Sequence, residues 1–332
     1  MPLTDHIPLP YRQKAHEVAQ VLPSLSRVII SAHLNPDGDA LGSVAACAYL
    51  LQQLGKEFVL YSVSGVPDFL RFLTLPAPLV TDLSHLPFKP EQALLVDLGQ
   101  FHRIGGELES LAPTLPRVNI DHHEGEGLGT LATWVEPKAA ACTQLVAYVA
   151  MALGIELRGE LARAVALGLV TDTGGFVHGN TSAEVFDLAA LLLRGGLDLA
   201  ALREEIDSNI RHERFALWGE LTGHVEFHLD GQIAFCAVSR QMLAKAHAER
   251  EDLEGFVEYL RRLRGVKLSA IVREDAEQKC KFSLRSQPAF DVCAVARTMN
   301  GGGHRNAAGG TLAADLATAR SMVLEALKSV LF

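Results

Sequence analysis

Apolar residues follow two rhythms in the first half of the chain. Short unbroken apolar runs at residues 28–32, 58–63, 93–98 and 118–121 read as buried strands. Longer apolar and alanine-rich runs at 43–54, 101–111, 139–153 and 160–170 read as helices, with Gly55 in the position of a C-cap for the first. Near-continuous apolar strands that alternate with helices predict a parallel sheet covered on both faces. Residues 182–210 keep a helical pattern, interrupted by Gly195 and Gly196. Beyond them the rhythm changes. Residues 224–239 read as two strands joined at Asp230-Gly231, a strong hairpin signal, and residues 265–273 and 278–286 as a second strand pair around 274–277. Helices are expected at 240–248, 253–263, 291–299 and 314–331. The expected fold is therefore α/β: a first domain over 1–190 with a helix-covered parallel sheet, a helical connector over 191–215, and a smaller mixed α/β domain over 216–332.

Composition narrows the class. A length of 332 residues suits about two domains, and 48% apolar with 21% charged residues is ordinary for a globular protein. The opening MPLTDHIPLPYRQ has neither the basic nor the apolar region of a signal peptide. No apolar run approaches the roughly 18 residues that span a bilayer. Cys47, Cys142, Cys236, Cys280 and Cys293 show no CxxC spacing, so reduced thiols and a cytoplasmic setting are expected. The net charge of −9 argues against a generic binder of long nucleic acid, which usually presents a basic face.

The chemistry lies where the elements end. The run SAHLNPDGDALGS places His33, Asp37 and Asp39 directly after the strand at 28–32. ALLVDLGQ runs a strand into Asp97, RVNIDHHEG ends one in Asp121, His122 and His123, and ALGLVTDTGGF delivers Asp172 into a glycine-rich turn. In open α/β sheets, ligands bind outside the carboxyl ends of the strands. No lysine accompanies these acids, so bringing them together would cost several kcal/mol unless a cation sits among them. Carboxylate with imidazole suits a divalent ion such as Mn²⁺, and paired ions need a carboxylate that bridges them, for which Asp97 is placed. Taken singly, each residue has a plainer reading: Asp39 as a helix N-cap, Asp37 as a turn former, His33 as a satisfied strand-end histidine. Four elements that share one topology favour the metal site.

These motifs resemble the DHH phosphoesterase superfamily: Asp121-His122-His123, the HxxxDxD pattern of His33, Asp37 and Asp39, then Asp97 and Asp172. The tail NGGGHRNAAGG, residues 300–310, looks like the hallmark of the DHHA1 domain, and length and domain order look like the oligoribonuclease and 3′-phosphoadenosine-5′-phosphate (pAp) phosphatase group. The resemblance implies two divalent cations, Mn²⁺ foremost. His33, Asp37 and Asp97 would hold one, and Asp39, Asp97, His122 and Asp172 the other. It further implies that Asp121 orients a histidine, that His123 faces the substrate phosphate, and that Arg285, Gly302, Gly303, His304 and Asn306 bind substrate. Arg103, six residues after Asp97, could reach the scissile phosphate. Gly301, Gly302 and Gly303 are expected to adopt positive φ and offer backbone N–H groups to an anion. Phe176 is expected in the core. The implied substrates are RNA oligomers of about two to five nucleotides, linear dinucleotides such as pApA, and pAp, with neither membrane nor long duplex as a partner; short substrates suit a chain without a basic channel. A homodimer through the helices at 139–153 or the connector is compatible with the sequence and required by no residue. Three other readings share some motifs: a RecJ-like single-strand DNA exonuclease, a manganese-dependent inorganic pyrophosphatase, and an inactive nucleotide-binding regulator.

Overall fold

The computed structural model describes residues 3–208 and 210–331. Two compact units divide between residues 209 and 210. The first holds a six-stranded parallel sheet in the order β3-β2-β1-β4-β5-β6. Its strands are β1 (Val28–Ser31), β2 (Phe58–Tyr61), β3 (Leu79–Val80), β4 (Gln92–Val96), β5 (Arg117–Asp121) and β6 (Ala132–Val135). Its helices are α1 (Leu9–Val21), α2 (Gly38–Gln53), α3 (Leu108–Leu111), α4 (Cys142–Ala152), α5 (Gly159–Asp172), α6 (Ala183–Arg194) and α7 (Leu199–Asp207).

The apolar runs are unbroken because the sheet is buried on both faces. Ile30, Leu94 and Val96 point into a core shared with α1, α2, α4 and α5. Ile29, Ala93 and Leu95 point the other way, toward Ile104 and Leu108. Val185, Leu188, Leu192 and Leu202 on α6 and α7 join the first of these cores, so these two helices, in the helical stretch read at 182–210, pack on the first unit.

Helix α2 packs closely on α5, and small residues make it possible. A Cβ added at Gly42 would lie 2.6 Å from the carbonyl oxygen of Ala164, and one at Gly38 would lie 2.4 Å from Thr171 Cγ2. The helix read at 101–111 does not form. A 3₁₀ turn, Phe101–Arg103, and the four-residue α3 replace it. Gly105 and Gly106, at φ +70° and +60°, separate them, and a Cβ at Gly106 would meet Tyr61 Oη at 2.3 Å. The helix read at 43–54 starts five residues early at Gly38, because Asp37 accepts hydrogen bonds from the Asp39 and Ala40 amides at 3.1 and 3.0 Å. Helix α1 and the short strands β3 and β6 lie outside the sequence reading.

The second unit carries a mixed six-stranded sheet in the order β11-β12-β10-β9-β8-β7. Its strands are β7 (Glu226–His228), β8 (Ile233–Val238), β9 (Leu268–Ala276), β10 (Lys279–Ser286), β11 (Gly302–His304) and β12 (Ala307–Leu312). Only β8 and β9 run parallel. Helices α8 (His212–Thr222), α9 (Arg240–Lys245) and α10 (Phe256–Arg261) cover one face; α11 (Val292–Thr298) and α12 (Leu316–Lys328) cover the other. The β7–β8 hairpin turns at Asp230-Gly231, both in the left-handed region. The β9–β10 hairpin turns two residues later than read, at 277–278, where Gln278 takes φ +57°. All five cysteines are buried and unpaired, and no described helix is long and apolar enough to cross a membrane.

Two glycine substitutions should move stability in opposite directions. Gly42→Ala forces α2 away from α5 and should cost about 1–3 kcal/mol. Gly219→Ala, inside α8 with nothing within 4 Å of the new methyl, should add about 0.5–1 kcal/mol. Urea unfolding of both variants checks the pair; a neutral Gly42→Ala would refute the close α2–α5 contact.

Candidate metal centre

The strand order reverses direction between β1 and β4, which opens a crevice at their carboxyl ends. Each site residue arrives there by a different local device. His33 follows β1 by two residues, and Asp37 caps α2. Asp97 ends the pairing of β4: its amide donates to Ile120 O at 3.0 Å, and its φ of +50° turns the chain out of the strand. Aspartate is among the few residues that tolerate this conformation. Asp121 is the last residue of β5, with His122 and His123 next, and Asp172 is the last residue of α5.

Asp39 lies in the first turn of α2, yet it serves another helix. The N-cap of α4 is Ala141, which offers no side-chain acceptor. Buried Asp39 fills that role across the core. It accepts from Cys142 N at 2.6 Å, Thr143 N at 2.9 Å and Thr143 Oγ1 at 2.8 Å. The positive end of α4 therefore partly compensates a carboxylate that water does not reach. Gly168 on α5 leaves the space, since a Cβ there would lie 2.3 Å from Asp39 Oδ1.

The histidine ring nitrogens are sorted by backbone carbonyls. His33 Nδ1 lies 2.9 Å from Leu34 O and His122 Nδ1 lies 3.3 Å from Ala139 O. Each Nδ1 is then the natural donor, and each Nε2 is turned toward the acids. His33 Nε2 is 3.3 Å from Asp97 Oδ2 and 3.9 Å from Asp37 Oδ1. His122 Nε2 is 3.4 Å from Asp172 Oδ2, 3.5 Å from Asp97 Oδ1 and 3.7 Å from Asp39 Oδ2. These gaps exceed the 2.7–2.9 Å of a charge-assisted hydrogen bond. They match the spacing, about 3–3.5 Å, of two donor atoms that sit near 2.1 Å from one cation. Asp97 turns one oxygen to each histidine, and its buried Oδ1 has no well-angled hydrogen bond.

Two donor sets follow, His33–Asp37–Asp97 and Asp39–His122–Asp172, each with atoms within 4.8 Å of one another; Asp97, His122 and His123 form a third grouping. Electrostatics point the same way. Burial, then the charge of Asp97, pushes the Asp39 carboxyl up to about 7. Burial, then Asp39, Asp37 and Asp97, pushes Asp172 up to about 10. Burial also lifts Asp97, but the adjacent His123 and His33 rings outweigh it and hold that carboxyl below the usual range. A cluster whose members resist ionisation together is a donor set for added positive charge, and carboxylate with imidazole fits divalent cations.

His123 stands beside this array. Its Nδ1 lies 2.8 Å from Asp121 Oδ1 and 3.3 Å from Asp97 Oδ1. The Asp121 contact, then Asp97, pushes its imidazole up to about 10. The Arg103 carbonyl accepts from Leu34 N, which ties the turn after Asp97 to the His33 loop; its guanidinium has no side-chain partner among the described residues. Phe176 is half-buried, at φ +68°; it packs against the edge of the first core and stacks on Phe186 at 5.8 Å.

The second unit holds the other expected residues. Arg285 on β10 donates through Nε to Glu258 on α10 and through Nη1 to Leu284 O at 3.0 Å. The glycine run departs from expectation. Gly302, Gly303 and His304 form β11, exposed and paired with β12, and only Gly303 takes positive φ, at +136°. The glycines allow close approach: a Cβ at Gly301 would lie 2.4 Å from Gly309 O, and one at Gly303 2.5 Å from Ala307 O. The Asn306 amide nitrogen is committed within the fold, to Ser286 Oγ, Gln287 O and Phe290 O at 2.8, 2.9 and 2.8 Å. The sequence reading had no place for Thr143, Gly168 or Glu258. Only the glycine carried a signal, in the small-residue spacing of 38/42 and 164/168.

Comparison with known proteins places the chain. The profile of the DHH family, N-terminal domain, matches residues 27–169, and that of the DHHA1 domain matches 230–331. A bifunctional oligoribonuclease and PAP phosphatase NrnA from Thermus thermophilus is 35% identical over 97% of this chain and 95% of its own length. The crystal structure of an exopolyphosphatase-related protein from Bacteroides fragilis superposes with a TM-score of 0.85 at 25% identity, over 96% of each chain. RecJ from Thermus thermophilus, in complex with Mn²⁺, shares the fold at a TM-score of 0.57 and 15% identity; the match covers 97% of this chain and 55% of RecJ.

Added Mn²⁺ should raise the stability of the chelator-stripped protein by about 2.7 kcal/mol at a hundred times its Kd. Gly168→Ala, which displaces Asp39, should weaken Mn²⁺ binding about tenfold or more while the fold persists. Thermal unfolding with EDTA and with Mn²⁺, beside calorimetric titration, measures both. No Mn²⁺-dependent shift in the parent protein would remove the metal centre.

Proposed function

We propose a function from one premise: this chain belongs to the DHH phosphoesterase family, in the branch that carries a DHHA1 domain. It is a hydrolase. The finer reading is a two-cation phosphodiesterase and phosphatase acting on RNA of about two to five nucleotides, on linear dinucleotides such as pApA, and on pAp. One observation carries it: Asp97 lies between the two donor sets with one oxygen toward His33 and the other toward His122. That is the arrangement a bridging carboxylate needs. The name of the Thermus thermophilus relative, oligoribonuclease and PAP phosphatase, supplies the substrate class.

His33, Asp37 and Asp97 would hold one divalent cation, with Asp39, Asp97, His122 and Asp172 around the other; Mn²⁺ is the favoured identity. The pair would supply Lewis acidity, neutralising phosphoryl charge and acidifying a water. The chain's own groups do the rest. Asp121 fixes the ring of His123 through Nδ1. The His123 Nε2 is thereby free to donate to a phosphoryl oxygen or to the leaving oxygen. Arg103, whose guanidinium has no side-chain partner among the described residues, would reach the scissile phosphate. In the DHHA1 domain, Arg285 and exposed His304 would take a second phosphate, with Gly302 and Gly303 supplying backbone. Asn306 would act by fixing the β10 end beside Arg285. The RecJ-like reading is weaker, because a net charge of −9 does not suit the basic face of a binder of long nucleic acid.

Four substrates with Mn²⁺ test the proposal: pAp, an RNA trimer, pyrophosphate and a 20-nucleotide single-stranded DNA. Turnover of the first two should dominate, and preference for either of the others would overturn the reading. Asp97→Ala should abolish turnover, and more than about a tenth of the parent rate would refute the bridging role. Arg285→Ala should chiefly raise KM for pAp, and an unchanged KM would take Arg285 out of the site.

A further inference from the structure

The segment that leaves α10 reads RRLRGVK, residues 261–267, and holds four cations in seven positions of a chain whose net charge is −9. Arg262 and Arg264 are exposed, and Arg261 and Lys267 are half-buried. None of the three arginines forms an ion pair or a side-chain hydrogen bond among the described residues. Most other arginines of the unit differ: Arg211, Arg240, Arg250, Arg273, Arg305 and Arg320 each have an acidic partner, while Arg214 and Arg297 stand apart from one another without one among the described residues.

The one acid on the same helix face is already engaged. Glu258 stands three and four residues before Arg261 and Arg262, the spacing at which helix side chains meet. It pairs instead with Arg285. The tract is also fastened to the strand end that carries Arg285. Arg285 pairs with Ser269 across β9 and β10, Gln287 N donates to Lys267 O at 2.9 Å, and Gln287 Nε2 donates to Val266 O at 2.9 Å. Lys267 Nζ rests over the Phe290 ring at 5.9 Å, which leaves its charge unneutralised. Five cations and one carboxylate thus occupy a single stretch of the second unit.

We infer that residues 261–267 form a backbone track for the phosphates of oligoribonucleotides longer than a dinucleotide, continuous with Arg285. The inference rests on the proposed function, because Arg285 must hold a substrate phosphate for the track to extend from it. Arginines without acidic partners attract phosphates irrespective of base sequence and make binding salt-dependent. A compact substrate such as pAp has no phosphate to place beyond Arg285. The track therefore sorts substrates by length and leaves the chemistry alone.

The test compares the parent with R261A/R262A/R264A, in Mn²⁺, by fluorescence anisotropy on a hydrolysis-resistant phosphorothioate RNA pentamer and by competition with pAp. Pentamer affinity should fall about tenfold or more relative to pAp affinity, and the dependence of log Kd on log salt should flatten by about 1–2, since each single-strand phosphate contact contributes about 0.7. Removing three cations elsewhere, at Lys14, Lys56 and Lys89, should leave that ratio within about twofold. An unchanged ratio, or equal loss for pentamer and pAp, overturns the track. Hydrolysis is read separately: a parent enzyme that binds the pentamer through the tract but cleaves neither pAp nor RNA would sink the proposed function and leave the track standing.

Discussion

Asp39, Asp97 and Asp172 stand around the rings of His33 and His122 in a pocket that cannot hold all their charges at once. That conflict organises the first unit. Burial and mutual repulsion drive Asp39 and Asp172 toward their neutral forms. The fold opposes this with fixed partial charges: the amides of Cys142 and Thr143 at the start of α4 close on Asp39. An αL conformation at a non-glycine residue costs about 1–3 kcal/mol and persists where the surroundings over-determine it. Asp97 holds such a conformation, and so points into the crevice instead of continuing β4. Bound cations would relieve the repulsion that these devices maintain, so metal affinity and fold stability draw on the same interactions.

The packing of α2 on α5 follows from that requirement. Asp39 and Asp172 come from opposite ends of the chain's helix pair and must approach the same histidine. Larger side chains at 38, 42 or 168 would hold the helices apart. The glycines are therefore part of the site although they touch no ligand. An isolated glycine in a helix pattern carries no indication of what approaches it, and only the paired small-residue spacing of 38/42 and 164/168 hints at the contact.

Much of the site was legible because strand ends are legible. An apolar run that stops at Asp or His marks both the strand and the side chain at its carboxyl end, and three such strand ends converged with the end of one helix, α5. The ambiguous residue was Asp39, which reads alone as a metal ligand or a helix cap. Both features meet in it, since the carboxylate that caps α4 also faces His122. What the sequence hid was long-range. Nothing near Ala141 says that a residue about a hundred positions earlier supplies its cap. The segment 101–111 has helical composition, but two glycines in left-handed conformation decide it. The triple glycine suggested positive φ throughout; Gly302 and Gly303 pair with β12 as an extended strand, with only Gly303 at positive φ, and Gly301 and Gly303 let the two backbones come close.

The two units handle negative charge in different ways, and the difference bears on what one enzyme can accept. The first concentrates carboxylates and imidazoles, which invite cations and so suit the phosphoester at which charge develops. The second concentrates guanidinium groups, which in the proposed reading would hold a phosphate that does not react. A guanidinium is always charged and presents a planar fork, so it holds a spectator phosphate without competing for a cation. In the proposed reading a good substrate needs one phosphoester to cleave and one phosphate to be held. Both pAp and a dinucleotide meet that condition, as does the end of a short RNA, although their bases and leaving groups differ. An activity defined by two phosphates, rather than by a base or a sugar, is one that a nuclease and a nucleotide phosphatase can share.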